Sequence, residues 1–262
     1  MFIRMMFSVL ALILLAGASS GPIPRESRNV VIEGKVERWR LVWESAPKPI
    51  CGPEDPEMAM TCPCSGFAYG EMGDLTLTRE RGGKVIDRLA LGPFFEDLPA
   101  SDSEGLAAMQ WRPFELADVE GDLPAAKLLS KIRARPGPRV MQLGDYDHDG
   151  VASEFLVQIS AGPCGHTAYV AFGVSRDRSK LHALGTARDP DAALVMAGSA
   201  WQALLESRGE TRVTVWPCGD HGAEERGEMV LLAQEGTIRA ERRRYSCPDD
   251  GTVEVLLEAE EL

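Results

Sequence analysis

Apolar and polar residues alternate through most of the second half of the chain, and a period of two predicts strands. Phe155, Val157 and Ile159 alternate with Leu156, Gln158 and Ser160, and Ala168, Val170, Phe172 and Val174 repeat the pattern. Val213 to Trp216, Met229 to Ala233 and Thr237 to Tyr245 are strand-like, the last two joined by a turn at Glu235-Gly236. In the first half, Val30 to Trp43 reads as one long strand or as a hairpin bent at Gly34. Leu75 to Thr78 and Val85 to Leu91 read as a hairpin reversed at Gly82-Gly83.

Two segments carry the helical period instead. Asp122 offers N-cap chemistry, Pro124 follows, Ala125, Leu128, Leu129 and Ile132 share one face, and Pro136 ends the run. Ser199-Ala200-Trp201-Gln202 has the form of a capping box, with Trp201, Leu204 and Leu205 on one face and Gly209 as the stop. The expected fold class is therefore α+β, predominantly antiparallel β with two short helices. No fixed-period repeat argues for a solenoid or propeller.

The chain has 262 residues, 44% apolar and 26% charged, enough to bury a sizeable core. Its 28 Lys and Arg stand against 40 Asp and Glu, a net of −12. A phosphate backbone needs a surplus of cations, so no nucleic-acid partner is expected.

The first eighteen residues combine Arg4, an apolar run from Met5 to Leu15, and Ala16-Gly17-Ala18 in the arrangement of a signal-peptidase site. The run is shorter than the roughly 20 residues that span a bilayer. This predicts a signal peptide over 1–18, a flexible lead-in over 19–28, and one β-rich domain over 29–262. The mature protein is expected to be secreted or periplasmic, with no membrane association after signal cleavage.

All six cysteines (Cys51, Cys62, Cys64, Cys164, Cys218 and Cys247) follow the expected cleavage point, where an oxidising compartment favours disulfides. Three precede residue 150 and three follow it, so complete pairing requires at least one bridge between the halves. The stretch Ala46 to Gly66, with five prolines and three of the cysteines, reads as a loop that needs such stapling.

The most specific chemistry lies in Asp145-Tyr146-Asp147-His148-Asp149-Gly150. Carboxylates at alternate positions, followed by a glycine that permits a tight turn, can converge their oxygens on one hard cation. The expected ligands are the side chains of Asp145, Asp147 and Asp149 and the carbonyl of Val151. Leu156 stands where an EF-hand would carry its bidentate Glu, and Pro136 and Pro138 oppose an entering helix. His148, between two ligand positions, is expected to face solvent. The bland alternative is an Asp-rich turn that only caps backbone amides.

Over Gln142 to Val157 this arrangement resembles the FG-GAP type calcium loop of integrin-like β-propellers, D-x-D-x-D-G-x-x-D before a strand. It departs at the ninth position, where Ser153 stands and the acid follows as Glu154. The resemblance implies Ca²⁺ and a β-rich setting, with Glu154 or water closing the shell. More loosely, the whole chain resembles uncharacterised exported bacterial proteins, a likeness that supplies no activity.

Two further segments, Gly162-Pro163-Cys164-Gly165-His166 and Pro217-Cys218-Gly219-Asp220-His221, place a Cys near a His. Two Cys and two His could hold zinc, though these spacings match no familiar zinc module. His166 or His221 with Asp220 could form an acid/base site of a secreted hydrolase, but neither a G-x-S-x-G nor an H-E-x-x-H motif accompanies them. The plainer reading is tight turns with bridged cysteines. Met58 and Met60 beside Cys62 and Cys64 could bind copper, although such thioethers more often pack. Arg242-Arg243-Arg244 is expected to pair with local carboxylates. The leading expectation is an exported calcium-binding β-rich protein without catalytic activity, presenting loops to a protein or glycan partner.

Overall fold

The computed structural model describes residues 21–51, 67–95, 105–113, 115, 123–161, 166–248 and 253–262. The first seven strands are β1 (Ile23–Ile32), β2 (Lys35–Trp43), β3 (Lys48–Ile50), β4 (Phe67–Gly73), β5 (Leu75–Arg81), β6 (Lys84–Ala90) and β7 (Ala107–Pro113). Helix α1 (Ala125–Ala134) leads to β8 (Glu154–Ala161), β9 (Thr167–Ser175), β10 (Arg178–Ala183) and the short β11 (Met196–Ala197). Helix α2 (Gly198–Glu206) then precedes β12 (Thr211–Trp216), β13 (Glu225–Gln234), β14 (Thr237–Ser246) and β15 (Leu256–Glu261).

Every strand pair is antiparallel, in sheets ordered β1-β2-β5-β6, β3-β4-β7 and β12-β13-β14-β15, with a further sheet in which β9 pairs β8, β10 and β11. The turns that the sequence marks are where the hairpins reverse. Glu33-Gly34, Gly82-Gly83 and Glu235-Gly236 all have positive φ at both positions, the conformation that matches the twist of two joined strands. Val30 to Trp43 thus resolves as a hairpin. Strand β1 begins at Ile23, inside the expected flexible lead-in, because Ser27 and Arg28 already pair with Arg40 and Trp39 of β2.

The core has two parts, and β8 and β9 separate them. Phe155, Val157, Ile159, Val170, Phe172 and Val174 join Trp39, Leu41, Trp43, Leu77, Trp111 and α1's Ile132 on one side. From the opposite faces Ala171 and the partly buried Leu156 and Tyr169 meet Trp201 and Leu204 of α2 with Met229, Leu231 and Ile238. A sheet covered on both faces needs apolar residues at both parities, which accounts for the continuous apolar run Val170-Ala171-Phe172.

Helix α1 starts after Pro124 without a side-chain cap. Ser199 lies within α2, whose N-cap is Ala197, also without a side-chain bond, so the capping box does not form. Tertiary packing of Trp201 and Leu204, both with no exposed surface, stabilises that helix instead.

Charged residues close the remaining gaps. Glu37 and Arg79 are buried together: Arg79 Nε donates to Glu37 Oε2 at 2.7 Å and its second amino group to Oε1 at 2.9 Å. Trp39 Nε1 adds a bond at 3.0 Å, and Arg81 also donates to Glu37. Arg79 further donates to the Ser179 carbonyl, while Asp87 accepts from the Leu181 amide at 2.5 Å, tying the first sheet to β10. Arg244 pairs with Glu225 and Glu258, Arg243 with Glu241, and Arg242 with Glu260, as expected of that basic run.

Cys218 and Cys247 form a disulfide with Cα atoms 5.6 Å apart. Cys51 is also disulfide-bonded, to a partner outside the described residues. Cys62, Cys64, Cys164 and the Met58–Met60 group lie outside the described residues as well. No helix among the described residues is long and apolar enough to cross a membrane.

Candidate metal centre

The acidic loop is pinched at its base by a bridge in which the Gly144 amide donates to the Glu154 carbonyl at 2.8 Å and the Glu154 amide returns the bond at 3.1 Å. Gly144 is required there, since a Cβ would lie 2.8 Å from the Tyr146 ring. Tyr146 anchors the loop by burying its ring edge-on against Trp201, with centroids 5.7 Å apart. With these anchors fixed, the alternate residues Asp145, Asp147 and Asp149 turn to a common centre.

Two successive side-chain turns set the curvature: Asp147 Oδ1 accepts the Asp149 amide at 3.1 Å, and Asp149 Oδ1 accepts the Val151 amide at 2.7 Å. Asp145 accepts the Gly150 amide at 3.2 Å. Gly150 has φ +94°, a conformation closed to most side chains, which explains its position after the third aspartate. The result is a group in which one carboxylate oxygen from each of Asp145, Asp147 and Asp149 lies within 4.8 Å of the others, and this group could hold a metal ion.

The three aspartates differ in how their remaining oxygens are satisfied. Asp145 has a partly compensating cation in the exposed Arg208, 3.7 Å away. Asp149 Oδ2 accepts the Arg176 amide at 2.6 Å, and the Arg176 guanidinium donates to the Asp149 carbonyl. Asp147 differs: it is 1% exposed, its Oδ2 is buried with no well-formed hydrogen bond, and the Ser175 hydroxyl is the side-chain donor set against its carboxylate. Burial pushes the Asp147 carboxyl above its ordinary pKa, Asp149 and Asp145 add to the rise, and the nearby Ser175 hydroxyl and the Asp149 amide oppose it. An under-satisfied carboxylate oxygen beside two others is costly unless a cation or a proton meets it.

The other expected ligands are differently placed. The Val151 carbonyl accepts the Ser153 amide at 2.9 Å. Glu154 has no exposed surface and is not one of the three gathered carboxylates: one oxygen accepts the Tyr146 amide at 3.0 Å, and the other lies 2.7 Å from Ser153 Oγ, whose single proton goes to the Val174 carbonyl at 2.7 Å when Glu154 is protonated. Burial, then the charge of Asp147, pushes the Glu154 pKa up to about 9. His148 corrects the expectation of a solvent-facing ring. It is half-buried with φ +55°, its Nδ1 lies 3.1 Å from the Ala233 carbonyl of β13, and its Nε2 is enclosed. A neighbouring strand reaches the loop there, which sequence spacing alone does not reveal.

His166 and Asp220 do come together, Nε2 to Oδ2 3.6 Å, with the His166 ring stacked on Trp216 at 4.2 Å. The side chain of His221 lies outside the described residues. Cys218 is committed to Cys247, which removes it from any Cys/His zinc site.

Sequence reasoning missed the neighbours of Asp147 on its other side. A cavity of about 270 Å³ is bounded by Asp147, Ser175, His182, Thr186, Gly236 and Thr237 among others. In it Ser175 Oγ lies 3.3 Å from His182 Nε2, while His182 Nδ1 faces the Lys180 carbonyl at 2.9 Å. A carbonyl only accepts, so Nδ1 carries the proton and a neutral ring presents its lone pair to Ser175. Burial holds the His182 pKa below its ordinary value, favouring that neutral form. No motif marks the pair, because the β9–β10 hairpin brings it together. Compared with family models, curated proteins and solved structures, the chain matches none of them.

Proposed function

We propose that the protein is an exported, disulfide-stapled binding module that holds one Ca²⁺ at Asp145, Asp147 and Asp149 and presents its loops to a protein or glycan partner without catalysing a reaction. The observation that carries this reading is the buried Asp147 carboxylate, which gathers with those of Asp145 and Asp149 while its Oδ2 makes no well-formed hydrogen bond. The donors are hard oxygens without a sulfur or imidazole, a set that suits Ca²⁺ or Mg²⁺ better than zinc or copper. Ca²⁺ tolerates the irregular arrangement more readily than the near-octahedral Mg²⁺, and the second lone pair of the Val151 carbonyl, Glu154 and water are available to complete its shell. The Cys218–Cys247 bridge accords with an oxidising compartment.

A ligand bound only by the folded state raises its stability by about 2.7 kcal/mol at a hundredfold excess over Kd. For a domain of this size that corresponds to a rise of roughly 5–10 °C in thermal midpoint. The test is a melt in CaCl₂ against EGTA, in which Asp147→Ala abolishes the rise. An equal response in wild type and variant excludes this site.

The contact between His166 and Asp220 favours a second reading, an exported hydrolase centred on that pair and His221. Activity on an ester, glycoside or peptide panel that is lost in His166→Ala, with folding and calcium response intact, would replace the binding-module reading.

A further inference from the structure

The acidic loop is covered by an element from another sheet. The Gly236 amide, in the β13–β14 turn, donates to the Asp147 carbonyl at 2.9 Å. His148 Nδ1 reaches the Ala233 carbonyl one turn-width away. A Cβ placed on Gly236 would lie 3.5 Å from Asp149 Cβ and 3.9 Å from Asp147 Oδ2, so the turn lies directly over the carboxylate group. Asp147 Oδ2, on a residue only 1% exposed, is buried under that turn with no well-formed hydrogen bond and only the Ser175 hydroxyl as a side-chain donor, so a cation there would meet an under-satisfied oxygen.

We infer that the β13–β14 turn and the acidic loop form a cation-operated clasp: a divalent cation held by Asp145, Asp147 and Asp149 locks the turn onto the loop, and its loss releases the turn. This inference rests on the cation reading above. The physical reason is that three carboxylates drawn together without a cation repel one another, and relaxation of that repulsion moves the Asp147 backbone to which Gly236 is bonded. The ion cannot favour the assembled loop without favouring the docked turn. Linkage makes the effect mutual, so weakening the turn weakens cation binding by the same factor that the cation strengthens the turn.

The clasp has a consequence for the cavity of about 270 Å³ beside it. Asp147, Ser175 and His182 line one side of this solvent-open cleft and Gly236, Thr237 and Ile238 another, so the cleft keeps this shape only while the turn is docked. Cation occupancy therefore governs whether the Ser175–His182 pair lines a two-sided cleft or an open surface.

The experiment is hydrogen exchange of the purified protein in CaCl₂ and in EGTA, read on peptides spanning 228–240, with calorimetric CaCl₂ titration alongside. Calcium is expected to slow exchange around Gly236 at least fivefold in wild type and to have no effect in Asp149→Asn. Gly236→Ala, which places a side chain at φ +82°, is expected to weaken Ca²⁺ binding at least fivefold while leaving the three carboxylates in place. If Asp149→Asn fails to fold, the Gly236→Ala titration decides the matter alone. Calcium binding with unchanged exchange at 233–238, or unchanged affinity in Gly236→Ala, overturns the clasp and leaves the cation site standing. No calcium binding in wild type overturns both.

Discussion

Replacing Glu154 by glutamine sets the cost of burying its charge against the contribution proposed for it in a cation shell. The side chain has no exposed surface, and burial followed by the charge of Asp147 raises its pKa from 4.5 to about 9. Between those values the folded protein holds a proton that the unfolded chain gives up. The stability contributed by Glu154 is therefore fully present below about 4.5 and is lost as pH rises toward about 9. At pH 7.5 without metal the loss has a ceiling of ~4 kcal/mol, from about 1.4 kcal/mol for each pH unit above the unfolded value. Glutamine has no charge to bury, its amide oxygen can accept the Tyr146 amide, and its amino group can donate to Ser153 Oγ, which already bonds the Val174 carbonyl. With metal chelated at pH 7.5, Glu154→Gln is expected to gain roughly 1–3 kcal/mol, a rise of about 2–10 °C in thermal midpoint. The advantage disappears near pH 5. If Glu154 completes the proposed Ca²⁺ shell, the order is expected to reverse in saturating CaCl₂, because a neutral amide is a poorer ligand than a carboxylate for a hard cation. Melts from pH 5 to 9 in EGTA and in CaCl₂ measure all of this. A variant less stable than wild type in EGTA at pH 7.5, or a pH-independent difference, would refute the argument.

Three further outcomes are expected. Arg79→Met leaves Glu37 buried without its bidentate partner and should cost roughly 3–5 kcal/mol in a denaturant melt, with Glu37→Gln added to it restoring part of the loss. Burial tends to raise the Glu37 pKa, but bonds from Arg79, Trp39 and Arg81 outweigh it and hold the group below the usual carboxylate value. Its contribution is thus present above that usual value and lost as pH falls through the lowered one, so wild type should weaken below about pH 4 more than the double variant does. Non-reducing peptide mapping should find no free thiol and a bridge from Cys164 to Cys51, Cys62 or Cys64, since Cys218 and Cys247 are already joined; two free thiols would contradict this. Purified protein should show no hydrolytic turnover dependent on His166, measured against His166→Ala on the same substrate panel.

The short-range features of the molecule were legible because local chemistry decides them. Gly34, Gly82-Gly83 and Glu235-Gly236 mark reversals that only positive φ permits, alternation gives β8, β9, β13 and β14, and three aspartates at alternate positions before Gly150 announce a convergent loop. Both helices could be seen from their apolar faces, but their caps could not, because Trp201 and its neighbours stabilise α2 by packing that depends on β9 and β13. Partners distant in sequence were left to the tertiary structure. The sequence could not show that Glu37 meets Arg79, that His182 meets Ser175 across a hairpin, that His148 turns inward to Ala233, or that Gly236 closes over Asp147. Nor could it show that Asp147 keeps one oxygen under-satisfied. Ligand type is a property of residues and their spacing, whereas desolvation and coupling arise only when segments some ninety residues apart enclose the same carboxylate.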